Sequence, residues 1–95
     1  MAAYVIVEIE TTDPEGMQRY RDAAAPSVES HGGRYIARGG AVETLEGGWS
    51  PQRIVVLEFE NAKQARAWWE SEEYREPKLL RQRAGHTRMI IVDGV

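Results

Sequence analysis

Two stretches of the chain carry nearly the same pattern of apolar and polar positions: Val5-Ile6-Val7-Glu8-Ile9-Glu10, and Val55-Val56-Leu57-Glu58-Phe59-Glu60. In each, one set of alternate residues is wholly apolar and the other carries the glutamates, the period-two pattern of a strand with two different faces. A helix-start signal follows each copy. The sequence therefore reads as an internal duplication of a strand-helix unit, and two such halves, each finished by another strand, build a split βαβ sheet.

The first strand is expected over about Ala3 to Ile9. Thr12-Asp13-Pro14-Glu15 then opens a helix, with Asp13 capping and Pro14 at the first helical position, or with Thr12 and Glu15 as a capping box. Met17, Tyr20, Ala24 and Val28 form its apolar stripe. Pro26 removes a backbone donor inside that stripe and predicts a kink or a split, and Gly32-Gly33 predicts the C-cap. A second strand covers Arg34 to Arg38. Gly39-Gly40 allows a bulge or bend, Ala41 to Leu45 resumes extended structure, and Gly47-Gly48-Trp49-Ser50-Pro51 turns the chain back. The third strand spans roughly Gln52 to Glu60. Asn61 with Gln64 caps a helix burying Ala62, Ala65 and Trp68 or Trp69, Ser71 caps a further short turn, and Pro77 opens another turn reaching about Arg83. The last strand covers Thr87 to Val92.

With right-handed crossovers, the order β-α-β-β-α-β gives an α+β, ferredoxin-like sandwich, whose antiparallel sheet has the order 4-1-3-2 and carries its helices on one face. Parity places Val5, Val7, Ile9, Val55, Leu57 and Phe59 under those helices. The opposite face holds Tyr4, Ile6, Glu8, Ile54, Val56 and Glu58. It is too apolar for a solvated surface and predicts a covering partner sheet.

Composition narrows the function classes. A chain of 95 residues with 42% hydrophobic and 28% charged residues suits one globular domain, residues 1–95, burying about 60–65% of its unfolded surface. No apolar run approaches the ~20 residues of a membrane span, and the short apolar start, interrupted by Glu8, reads as a strand rather than a signal peptide; a cytoplasmic location is the expectation. The absence of cysteine excludes disulfides, thiolate metal sites and cysteine nucleophiles, and a net charge of −3 argues against nucleic-acid binding. Ten arginines against two lysines favour bidentate pairing with carboxylates wherever arginine is buried.

The glutamates therefore attract attention together with two arginines. Arg38 and Arg88 stand at matching points of the two halves, with the same 50-residue separation as Glu8 and Glu58. A hairpin turn near Gly48 places Arg38 roughly opposite Glu58 unless a bulge at Gly39-Gly40 shifts the register, and the last strand brings Arg88 beside Glu8. These pairs either neutralise a mixed sheet face or form the polar floor of a ligand pocket. Tyr20 is a buried donor or a cleft hydroxyl, and Trp68, Trp69 and Tyr74 are core aromatics or pocket walls. His31 and His86 lack a second ligand at metal-binding spacing, so no metal or cofactor is expected. Arg75, Lys78, Arg81, Arg83 and Arg88, interleaved with Glu72, Glu73 and Glu76, read as a solvated, salt-bridged surface.

Tyr20-Arg21 followed by Pro26, Gly32-Gly33-Arg34, Arg38-Gly39-Gly40, Glu58-Phe59 and Ala67-Trp68-Trp69-Glu70-Ser71-Glu72-Glu73-Tyr74 leading to Leu80-Arg81 together resemble the domain-of-unknown-function family numbered 1330. The resemblance covers nearly the whole chain. It implies membership of the dimeric α/β-barrel superfamily, with a homodimer in which two sheets face each other. It implies no single reaction, because that superfamily includes cofactor-free monooxygenases, haem enzymes, lactone isomerases and ligand-sensing domains.

Two functions follow as expectations. In the first, a small organic molecule undergoes cofactor-independent acid/base or oxygenase-like chemistry, with Glu58 as acid or base oriented by Arg38, and with Glu8, Arg88, Tyr20 and Trp68 binding substrate. In the second, the domain is a non-catalytic ligand-binding or assembly module whose Glu-Arg pairs only fix register and dimer geometry.

Overall fold

The computed structural model describes residues 1–95. Its elements run β1 Ala3–Thr11, α1 Pro14–Ser30, β2 Arg34–Arg38, β3 Arg53–Phe59, α2 Ala62–Trp69, α3 Glu72–Ala84 and β4 Gly85–Asp93. The strands form one sheet in the order β2-β3-β1-β4, with every pairing antiparallel. This is the expected α+β, ferredoxin-like arrangement, with 4-1-3-2 read from the other edge.

Parity decides the layers. Ala3, Val5, Val7 and Ile9 of β1 are buried, as are Val55, Leu57 and Phe59 of β3, and they meet Met17, Tyr20, Ala24 and Val28 of α1 and Ala65 and Trp68 of α2 in one core. Each fully buried aliphatic or aromatic side chain of this kind contributes on the order of 1.5–3 kcal/mol. Aromatic contacts lock the far end of the core: Trp68 lies 4.1 Å from Tyr74 and 5.5 Å from Phe59, ring centroid to ring centroid.

Helix ends follow local chemistry. The Asp13 carboxylate accepts from the Gly16 N–H at 3.1 Å with Pro14 behind it, and the Asn61 side chain accepts from the Gln64 N–H at 2.8 Å. At the end of α1 the Gly33 N–H reaches the Val28 carbonyl and the Gly32 N–H that of Glu29, a Schellman closure that needs the positive φ of 76° at Gly32.

Three expectations about local structure are corrected. Of the kink or split expected at Pro26 the split is absent: α1 is one helix, and buried residues on both sides of the proline, Tyr20 and Ala24 before it and Ser27 and Val28 after it, hold both halves on the sheet. Ser27 reinforces this stretch by donating to the Ala24 carbonyl at 2.6 Å and accepting from the Trp68 indole at 3.1 Å. Helix α3 likewise absorbs the two separate turns expected at Ser71 and Pro77. Ser71 caps it, and the buried Pro77 ring packs within it, offsetting the missing hydrogen bond. Ala41 to Leu45 forms no strand; it belongs to a connection between β2 and β3 that returns to the sheet through Trp49.

Candidate functional site

The two sides of the sheet handle charge differently. On the face away from the helices, Glu8 of β1 stands opposite Arg88 of β4, and the pair closes at 2.5 and 2.7 Å through one carboxylate oxygen. The other oxygen accepts from the Trp49 indole at 2.8 Å. Those hydrogen bonds, first from Trp49 and then from Arg88, hold the Glu8 carboxyl below the usual carboxylate range. Glu8 and Arg88 lie on the rim of a polar groove of about 520 Å³ whose lining is otherwise largely loop and β4 residues, including His86.

Glu58 finds a different partner from the one expected. The β2–β3 hairpin is not centred on Gly48: Arg34 stands opposite Glu58 and binds it at 2.6 Å, and a bulge between Tyr35 and Ala37 sets Arg38 opposite Val55. The pairing of Glu58 with Arg38 is thereby corrected. One extra residue in β2 sends Arg38 to the helix side of the sheet, where its guanidinium lies 4.1 Å from the centre of the Tyr35 ring. The bulge sits before Arg38 rather than at Gly39-Gly40.

Beneath the helices, beside edge strand β4, a groove of about 510 Å³ is lined mainly by apolar side chains, including Trp68, Trp69, Met89 and Ile91, with Arg81 and Thr87 among its polar ones. Arg81 is only 4% exposed. It donates to the Thr87 hydroxyl and forms no ion pair, and its Nε is buried without a partner. The expectation of a solvated Arg81 is therefore corrected: it falls on the buried stripe of α3 with Tyr74, Pro77 and Ala84. Its charge is felt by Tyr74, whose hydroxyl bonds that of Tyr20 at 2.8 Å. Burial raises both phenols above the ordinary tyrosine range, so both stay protonated at physiological pH, one donating to the other.

The residue placements separate the candidates. Tyr20 and Trp68 are buried on the helix side, Trp68 as a core wall shared with the groove; Glu8, Arg88 and Glu58 lie on the opposite face; Arg38 lies apart from all three. Sequence reasoning missed Arg81 as a site residue, although its spacing from Tyr74 and Pro77 places it on their helical stripe. It also missed Arg34 and Trp49 as the partners of Glu58 and Glu8. His31 bonds the Ser27 carbonyl at 2.8 Å at the end of α1.

A family model described as domain of unknown function DUF1330 matches residues 2–95. The chain belongs to this family. No curated protein matches this DUF1330 chain. Among solved structures it is similar to a protein of unknown function from Rhodopseudomonas palustris, at 17% identity and a TM-score of 0.80, over 99% of this chain and 82% of that one. It is similar to a dimeric ferredoxin-like protein of unknown function from Thermobifida fusca, at 16% identity and a TM-score of 0.69, over 99% and 92%. The cofactor-independent oxygenase SnoaB from Streptomyces nogalater matches at 7% identity and a TM-score of 0.60, over 99% and 91%. At these identities the likeness establishes the fold alone. No helix of the DUF1330 chain is long and apolar enough to cross a membrane.

Proposed function

We propose that this DUF1330 protein is a homodimer that binds a small, largely apolar organic molecule carrying a carboxylate or carbonyl oxygen in the groove between β4 and the helices. One observation carries the reading. Arg81 is a buried cation with no carboxylate partner, and it borders a groove of about 510 Å³, within the size range of small-molecule sites. Removing a charge from water without pairing it is unfavourable, and an oxygen supplied by a ligand offsets that penalty. Trp69, at 37% exposure, offers an aromatic wall, steadied by the Lys78 ammonium 3.6 Å from its ring centre.

Binding is favoured over acid/base catalysis because the groove lining contains no carboxylate or imidazole. Glu58 is paired with Arg34 on the other face, and Glu8 has both oxygens occupied. The dimer is supported by the uncovered sheet face. Tyr4, Ile6, Ile54 and Val56 are half-buried there beside Ile90, which is 58% exposed. A second copy of the same face would cover this apolar stripe, with the Glu-Arg pairs fixing orientation.

The test is an equilibrium titration with 1-naphthoate, compared between the wild type and Arg81→Met. Saturable binding that weakens at least about tenfold in the variant is expected; equal affinity in the two proteins would remove Arg81 from the site. For the dimer, sedimentation equilibrium of Ile90→Glu is expected to show a monomer, and a wild type already monomeric at micromolar concentration would end that part of the proposal.

A further inference from the structure

A second collection of arginines stands apart from the groove. Arg38 at the end of β2, Arg53 at the start of β3 and Arg21 on α1 line one cleft on the helix side of the sheet, together with Tyr20 and Tyr35 and a floor of Val7, Ile9, Val55 and Leu57. None of the three guanidinia forms an ion pair. Arg21 donates to the Gln18 side chain at 2.8 Å, Arg38 lies over the Tyr35 ring, and the Nε of Arg53 is buried without a partner. Burial first, and then the like charges of Arg21 and Arg38, push Arg53 below the ordinary arginine range. Glu29 is felt electrostatically at Tyr35 but pairs with none of the three.

The backbone accommodates this arrangement. Gly39 takes φ of 74°, and a Cβ there would collide with the Arg53 guanidinium, so glycine permits both the turn after β2 and the close seating of the charge against it. The bulge in β2 contributes as well, because without its extra residue Arg38 would point away from this cleft. Three cations share this cleft without a counter-charge, and for Arg53, whose Nε is enclosed, a bound anion supplies the missing partner.

We propose that this cleft is an anion site, in which Arg53 and Arg38, with Arg21 at the rim, hold the carboxylate of a small organic acid beside the rings of Tyr35 and Tyr20. The enclosed space is about 20 Å³, room for a group of water or carboxylate-oxygen size, so the head group enters and the rest of the acid lies toward the cleft mouth. The apolar floor and the two aromatic rings favour an organic acid over a hydrated inorganic ion. Planar guanidinia suit the planar carboxylate through paired N–H donors.

The experiment follows the arginine Nε–H resonances of ¹⁵N-labelled protein during titration with benzoate, benzamide and inorganic phosphate at constant ionic strength. The Arg53 resonance is expected to shift saturably with benzoate and not with benzamide. Arg38→Gln, an exposed position whose fold the same spectrum monitors, is expected to raise the benzoate Kd at least about tenfold, and Arg34→Gln to leave it unchanged. Arg53→Met without ligand is expected to melt at a higher temperature than the wild type, because it removes a cation whose Nε is enclosed without a partner. An Arg53 resonance that is silent, or that responds equally to benzamide, would overturn the proposal. Tighter binding of phosphate than of benzoate would overturn the organic-acid assignment. A response at Arg81 with silence at Arg53 would overturn this site while leaving the β4 groove intact.

Discussion

On the outer face of the sheet, Glu8 of β1 is paired with Arg88 and Glu58 of β3 with Arg34. Beneath the helices, Arg81 is buried and Arg53 is half-buried with its Nε enclosed, and neither has a carboxylate. The same residue type thus serves two ends. Arginines that are mostly exposed and matched across strands neutralise the glutamates of that face, at little energetic consequence. An arginine enclosed without a carboxylate opposes folding, and in the binding proposed above a ligand supplies the missing half.

The contrast can be broken at several points. The helix side is held by its aromatic packing, so Trp68→Ala should be the most damaging change, lowering the unfolding free energy by about 3–5 kcal/mol in urea denaturation. A much smaller loss would mean that the stack with Phe59 and Tyr74 is not what supports the groove wall. Tyr20→Phe leaves the buried Tyr74 hydroxyl without its partner and should lower stability by about 1–2 kcal/mol in the same assay. On the outer face, Glu58→Gln should change the stability of the protomer by less than about 1 kcal/mol, since Arg34 is largely exposed; a loss of several kcal/mol would show that this pair is structural in a stronger sense.

The pH response of Glu8 is a subtler check. Its folded-state pKa is depressed, so its contribution to stability is present above the unfolded carboxyl pKa and lost as pH falls through the folded one. Melting curves should therefore show Glu8→Gln below the wild type at pH 7, with the gap closing below about pH 4. A gap that persists at acid pH would place the effect in packing around Trp49 rather than in the carboxylate charge.

The sequence was most legible where a period of two was uninterrupted. Parity along β1 and β3 identified the core face, and it placed Glu8 beside Arg88 across 80 residues. It failed at the first irregularity. The bulge in β2 has no distinctive residue, since Tyr35, Ile36 and Ala37 all suit a plain strand, and one extra residue turns Arg38 to the other face; the long connection before β3 hid the hairpin centre, so Arg34 and not Arg38 meets Glu58. Charge patterning failed at Arg81 for a different reason. Arg75, Arg83 and the nearby glutamates are exposed, so the α3 segment reads as solvated, yet the stripe of Tyr74, Pro77, Arg81 and Ala84 turns one of its cations inward. Helical spacing held the information, and residue type concealed it. Neither proline broke its helix, because tertiary packing outweighed the missing hydrogen bonds.

The central claim is that the arginines beneath the helices are kept for binding at the expense of stability. Equilibrium unfolding of ligand-free Arg53→Met/Arg81→Met, compared with wild type, tests it most directly, since methionine keeps much of the apolar stem while removing the charge. The account predicts a double variant more stable than wild type by about 1–2 kcal/mol. A double variant less stable by that amount would contradict it and make these arginines part of what holds the fold together.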